Sequence, residues 1–350
     1  MTPRLETSGW KNLAVLAPNW LGDAVMCEPA IRALAATHPR LRIILHGRPI
    51  AGAALADHPA IAEFRPVEDR GVLGPVRAAR GIAETRPDAI LLLRGSFRSA
   101  LVARLSRCPI RIGVARDGRS GLLSHPLPGP SKNDPRPTVD LYASLVEALG
   151  VPVEDRLPRL QVSESERLAA SPLLDGLPRP ILGLVPGGSK VPKRWPAENF
   201  VETARRLRGI AGSIVLIGGP DERELLASIA EDLENCSNPV VRDLGALGLG
   251  LHTLRAVVGG CDALVTNDTG PRHLAVGLGV PTVALFGPTD HRWTLLPGAR
   301  ERILLAEPFL DQAHVADRHP EACRIDRIAV GDVVHAVSGF LDPASVSFTT

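Results

Sequence analysis

The chain has 350 residues, 45% of them apolar and 22% charged. That length is more than one ordinary core fills, so two domains of similar size are expected. Aromatic residues at 3% leave few stacking platforms for single-stranded nucleic acid, no apolar run reaches the ~18 residues of a membrane span, and a net charge of +2 leaves any electrostatic argument to local clusters.

Short β-type runs alternate with helical periodicity from end to end. Residues 12–17 read as a buried strand and 22–38 as a helix. Strands follow at 41–45, 88–93 and 111–114, with helices at 98–107 and 141–149, the last stopped by Gly150. The pattern restarts in the second half: a strand at 181–185, a helix at 197–208, a strand at 213–217 ending on Gly218-Gly219-Pro220, and a helix at 221–233 with Asp221 near its N-cap. Helix, strand, helix and strand continue at 251–258, 263–266, 272–277 and 282–286, and 328–340 closes as a helix. This alternation predicts an α/β chain of two Rossmann-like, doubly wound parallel-sheet domains facing a cleft. Their expected bounds are 1–165 and 178–350, joined by a polar, then proline- and glycine-rich linker over about 163–180.

Residues 1–11 lack the basic and apolar regions of a signal peptide, so a cytoplasmic location is expected. The five cysteines, Cys27, Cys108, Cys236, Cys261 and Cys323, are scattered without zinc-type spacing and read as reduced thiols.

The common nucleotide fingerprints are missing. No GxGxxG follows the first strand, which argues against a dinucleotide dehydrogenase. Residues 183–190 (GLVPGGSK) approach a P-loop, but Ser and Lys are exchanged and the run enters Val191-Pro192 instead of opening a helix. The glycosylation sequons Asn235-Cys236-Ser237 and Asn267-Asp268-Thr269 carry no meaning in a cytosolic chain. Three loops remain, each after a strand. In Pro18-Asn19-Trp20-Leu21-Gly22-Asp23, Asp23 suits either a helix N-cap or a base at the ligand-binding edge of an open sheet. The stretch 186–196 combines Gly187-Gly188 with Lys190, Lys193 and Arg194, which suits a diphosphate leaving group or a solvated basic loop. In the stretch 266–273, helix-start amides would bind an anion; Asp268 or Thr269 could equally cap the helix, and His273 could be core. Between Arg94 and Arg119, seven arginines face one acid, Asp117. They read either as a solvated helix face or as a patch for a phosphorylated acceptor.

Several ordered motifs resemble the heptosyltransferases of glycosyltransferase family 9. They are Asn19-Trp20-Leu21-Gly22-Asp23-Ala24-Val25-Met26, Pro29-Ala30-Ile31-Arg32-Ala33-Leu34, Pro186-Gly187 with Lys193-Arg194-Trp195-Pro196, Gly218-Gly219-Pro220-Asp221-Glu222, Asn267-Asp268-Thr269-Gly270 with His273-Leu274-Ala275, and Pro281 through Phe286-Gly287-Pro288-Thr289. The resemblance, nearest to the heptosyltransferase II branch, implies a GT-B fold and inverting transfer of L-glycero-D-manno-heptose from ADP-heptose to the lipopolysaccharide inner core. It implies Asp23 as the catalytic base and a donor set of Gly188, Ser189, Lys193, Arg194, Glu222, Asp268, Thr269, Gly270 and His273. Glu222 takes the ribose role, Asp268 the heptose hydroxyls, and Thr269 and Gly270 the diphosphate. Trp20, Arg94, Arg98 and Arg104 are the expected acceptor contacts. Neither metal nor cofactor is expected. The implied acceptor is Kdo–lipid A or its heptosylated form, met at the cytoplasmic face of the inner membrane by peripheral contact. The sequence departs from the family at Gly188, where relatives place a hydroxyl, at Pro137-Thr138-Val139, and at 319–323. Alternatives are a GT-B transferase for another nucleotide sugar or acceptor, a hydrolysing sugar-nucleotide epimerase, and an inactive binder of lipopolysaccharide precursor.

Overall fold

The computed structural model describes residues 7–55, 57–131, 133–234, 239–307 and 309–341. Cys236 and the Asn235-Cys236-Ser237 sequon lie outside the described residues, as do positions 1–6 of the N-terminal segment. The chain divides into two compact units, Met1–Leu160 with Arg292–Pro297, and Gln161–His291 with Gly298–Thr350.

The first unit runs β1 (Asn12–Leu16), α1 (Leu21–Met26), α2 (Glu28–Thr37), β2 (Arg42–Gly47), α3 (Pro49–Leu55), β3 (Glu63–Pro66), α4 (Gly74–Glu84), β4 (Ala89–Leu92), α5 (Phe97–Leu105), β5 (Ile110–Val114), β6 (His125–Leu127) and α6 (Thr138–Glu147). All its strand pairings are parallel, in the order β3-β2-β1-β4-β5-β6. β1 is central, with Leu13, Ala14 and Val15 wholly buried, because helices cover both faces and no side of the strand meets water. α4 and α5 share one face, where Ala78, Ala79, Ile82, Ala100, Val102 and Ala103 pack on Ala14, Leu16, Ile90 and Leu92.

The single helix expected over 22–38 is two, α1 and α2, meeting at Cys27. Pro29 is the cause: it has no N–H to donate to the carbonyl of Val25, so the ladder restarts one residue before it.

The second unit holds α7 (Glu164–Leu174), β7 (Ile181–Val185), α8 (Ala197–Arg206), β8 (Ser213–Leu216), α9 (Arg223–Glu234), β9 (Val240–Asp243), α10 (Leu251–Gly260), β10 (Ala263–Asn267), α11 (Gly270–Gly277), β11 (Thr282–Phe286), β12 (Glu301–Leu305) and α12 (Val330–Leu341). Its sheet is parallel, ordered β12-β11-β10-β7-β8-β9. Residues 163–180 hold α7, opened by a capping box in which Ser163 accepts from the Glu166 amide and Glu166 accepts from the Ser163 amide. The helix expected from 221 begins at Arg223, and Asp221 stands two residues before it, in a 3-10 turn, Pro220–Glu222, that leads into α9.

Both sheets reverse winding beside their first strand. β1 lies between β2 and β4, and β7 between β8 and β10. Open α/β sheets bind ligands at such switch points, outside the carboxyl ends of the strands. The loops after β1 and β4, and those after β7 and β10, are therefore where chemistry belongs.

Candidate active site

In the second unit the loop after β7 and the loop after β10 are fastened together by Asn267. This last residue of β10 is fully buried. Its Nδ2 donates to the carbonyls of Pro186 (2.8 Å) and Gly187 (2.9 Å), and its Oδ1 accepts from the Trp195 amide at 3.1 Å. One side chain thus pins both ends of the basic loop. Trp195 secures the far end: its indole is buried against Phe200 at 5.1 Å and donates to the Ile328 carbonyl at 3.1 Å.

Within that loop Gly188 is held from two directions. Its amide donates to Glu222 Oε1 at 2.8 Å, and its carbonyl accepts from Arg194 Nε at 2.9 Å. Glu222 Oε2 accepts from the Gly219 amide at 2.8 Å. A Cβ at Gly187 would lie 1.9 Å from Glu222 Oε1, so only glycine lets the carboxylate in. The amide of Gly188, expected in the donor set, already serves Glu222. Arg194, expected at the donor, orients the loop carbonyl.

Lys193 emerges from a 3-10 turn, Val191–Lys193, with Nζ 3.8 Å from Asp268 Oδ2. Asp268 also faces Arg272 Nη1 at 3.5 Å. Arg272 is itself wholly buried, chelated by Glu301 (2.6 and 2.8 Å) and lying over Phe286 at 4.8 Å. Thr269 is the N-cap of α11 by its extended backbone, but its side chain makes no capping bond; its Oγ1 sits 3.1 Å from Thr266 Oγ1. The start of α11 therefore offers amide hydrogens and the positive end of a helix dipole beside Lys193. A Cβ on Gly188 would come within 3.7 Å of Thr269 Cγ2, so the two loops abut. Gly188, Lys193, Arg194, Glu222, Asp268, Thr269 and Gly270 form one cluster, with Ser189 exposed at its rim.

His273, expected among the donor contacts, is 4% exposed within α11. Burial, and then Arg272, hold its pKa well below the usual 6.5. It is a neutral packing residue.

In the first unit Asp23 is the third residue of α1, half-buried in its first turn. It does not take the N-cap position that it was expected to suit; Trp20 occupies it, 71% exposed. Tyr142 of α6 is buried, and burial first, then the charge of Asp23, push its phenol pKa far up. The same two causes, with Glu28, raise the thiol of buried Cys27. Both neighbours are thereby held in their protonated forms.

The arginine stretch divides into separate tasks. Arg94 is largely buried and ion-paired to Asp69 at 2.9 Å, so it is not presented to an acceptor as expected. Arg98 donates to the carbonyls of Asp69 and Gly71 and braces the loop before α4. Arg119 is fully buried; its Nε donates to Val114 O at 2.7 Å and its Nη1 to Arg94 O at 2.9 Å. Burial, then Arg116, lowers its pKa to about 10. Arg104 is exposed in the last turn of α5, at the end remote from the switch point. Arg116, which was not singled out, lies across Gly95, where a Cβ would stand 1.8 Å from its Nη2, and it is near enough to Tyr142 to act on the phenol. Only its place after β5 could have marked it.

Two successive doubly wound parallel α/β units, each with charged loops at its switch point, make up the GT-B architecture. The model of glycosyltransferase family 9 (heptosyltransferase) matches residues 76–321. The chain is 30% identical to lipopolysaccharide heptosyltransferase 2 of Salmonella typhimurium over 303 residues, 81% of this chain and 84% of the relative. The solved structure of Escherichia coli ADP-heptose lps heptosyltransferase II superposes with a TM-score of 0.80 at 26% identity, covering 94% of this chain and 98% of that one. A glycosyl transferase family 9 structure from Veillonella parvula gives a TM-score of 0.81 at 21% identity, covering 97% and 100%. The chain belongs to glycosyltransferase family 9, the heptosyltransferase family.

Replacing Asn267 with alanine strips two carbonyls and one amide of their partner. A loss of about 2–4 kcal/mol in urea-unfolding stability is expected, together with at least roughly tenfold weaker nucleotide-sugar binding by calorimetry as the basic loop is released. His273 supplies a pH signature. Its folded pKa lies below the unfolded 6.5, so its contribution is complete above 6.5 and declines as pH falls below it. The slope approaches ~1.4 kcal/mol per pH unit. Thermal melts of His273→Gln across that range should show a shallower acid decline than the parent.

Proposed function

We propose that this enzyme transfers L-glycero-D-manno-heptose, with inversion, from ADP-heptose to the lipopolysaccharide inner core. Three things support the reading: family membership, relatives whose own names specify ADP-heptose and lipopolysaccharide, and the character of the second unit's loops. The observation that carries it is the uncapped start of α11 beside Lys193 and Asp268. Amide dipoles and a cation there would stabilise charge building on a departing diphosphate, and Asp268 would accept from the sugar's hydroxyls. Glu222 has one backbone amide on each oxygen, which leaves lone pairs for a ribose hydroxyl. Ser189, Thr269 and Gly270 complete the donor set.

Asp23 of the first unit is the general base in this reading. It would take the proton of the acceptor hydroxyl as that oxygen attacks the anomeric carbon and the bond to the diphosphate breaks. Trp20, with Arg116 after β5, would receive the acceptor, a Kdo–lipid A or its heptosylated form. The enzyme would work peripherally at the cytoplasmic face of the inner membrane; no helix among the described residues is long and apolar enough to cross a membrane.

Asp23→Asn is expected to bind ADP-heptose like the parent while kcat falls ~10²–10⁴-fold. Near-normal kcat would remove Asp23 from the reaction. In the same assay ADP release should require the acceptor, and UDP- or GDP-sugars should compete poorly. Release without acceptor would point instead to a hydrolysing epimerase, and absence of ADP-heptose binding to an inactive precursor binder.

A further inference from the structure

The first unit exposes apolar side chains where its sheet ends. Val72 is 94% exposed, Leu73 68%, Val76 37% and Phe97 50%. They come from the loop into α4, the first turn of α4 and the first residue of α5. These two helices lie side by side on one face of the sheet, and both helix starts follow strand ends, so the four residues rim the same edge as exposed Trp20. The rim is braced from within. Arg98 of α5 donates to the carbonyls of Asp69 and Gly71, and Asp69 pairs with Arg94, so Val72 and Leu73 are held outward on a fixed turn.

Arginines surround these apolar tips. Arg70, Arg77, Arg80 and Arg98 are exposed around them, with Glu68 the exposed acid in their midst. A cluster of aliphatic and aromatic tips ringed by cations does not suit bulk water, which gains nothing from it. It suits a surface with anionic groups outside and hydrocarbon beneath. Aliphatic tips enter the acyl boundary, the arginines meet phosphates, and an indole favours the interface.

We propose that the rim formed by Val72, Leu73, Val76 and Phe97, with Arg70, Arg77 and Arg80, is a docking surface for an anionic lipid bilayer. The proposal rests on the reading given above, since docking at the Asp23 edge brings a lipid-borne acceptor to the base. Apolar insertion and a basic ring are the two signals that together give stable yet reversible attachment.

The test is sedimentation of the full chain with vesicles of phosphatidylglycerol and phosphatidylethanolamine, against phosphatidylcholine alone. Binding to the anionic vesicles only, weakened by salt, is expected. V72S/L73S should lower the partition coefficient on the order of tenfold, and R77Q/R80Q by a similar factor. Both variants should turn over a lipid-free acceptor saccharide like the parent. Parent protein that ignores anionic vesicles, or variants that bind like the parent, would overturn the proposal. So would binding to inner-membrane vesicles that protease treatment of those vesicles abolishes, which would assign the rim to a protein. Vesicle binding that responds to the variants, in a chain that transfers no heptose to the lipid-free acceptor, would uphold the docking surface and count against the transferase reading alone.

Discussion

A single buried carboxamide governs the second unit's chemistry. Asn267 closes β10, and a carboxamide can accept from one amide while giving two hydrogens away. Here those valences go to Pro186, Gly187 and Trp195, the two ends of one loop. A loop of that length, rich in glycine and proline and carrying three cations, has no reason to order itself. Fixing both ends to the neighbouring strand removes most of its freedom. Trp195, sunk in the core, keeps Lys193 facing Asp268 and the start of α11. Electrostatic stabilisation depends on groups being in place before charge develops, and the ends of this loop are set in place by two buried side chains, Asn267 and Trp195.

The first unit solves the same problem with charge instead of an amide. Arg119 is taken wholly out of water, which costs enough to pull its pKa to about 10. Backbone carbonyls offset that cost by accepting its hydrogens, and in return the loops after β4 and β5 are tied to each other. Arg94 and Arg98 do likewise for the loop before α4. Most of a conspicuously basic stretch is therefore spent on architecture.

The central strands were legible because they are buried on both faces and read as unbroken apolar runs. The strands absent from the sequence reading are β3, β6, β9 and β12, which are the four sheet edges. Edge strands meet water on one side, so Glu63-Phe64-Arg65-Pro66 or His125-Pro126-Leu127 carries neither a run nor a clean alternation. α7 was hidden by polar and proline residues in a stretch resembling a connection, although Ser163 and Glu166 stand at capping-box spacing. Of the site, the strand-end loops were legible from position alone. The direction each side chain takes was not: periodicity marks α11 but does not say that His273 faces inward, and charge density does not separate Arg119, inside, from Arg104, outside. Asn267 was visible as part of a motif, yet nothing in its neighbours announces that its partners lie some eighty residues upstream.

Glu222 adds a mechanical element. One of its oxygens grips the turn after β7 and the other the turn after β8, and the missing side chain at Gly187 makes room for the grip. The two turns are therefore coupled as one part. Any hydroxyl that binds this carboxylate would therefore share an acceptor with two strand-end turns at once.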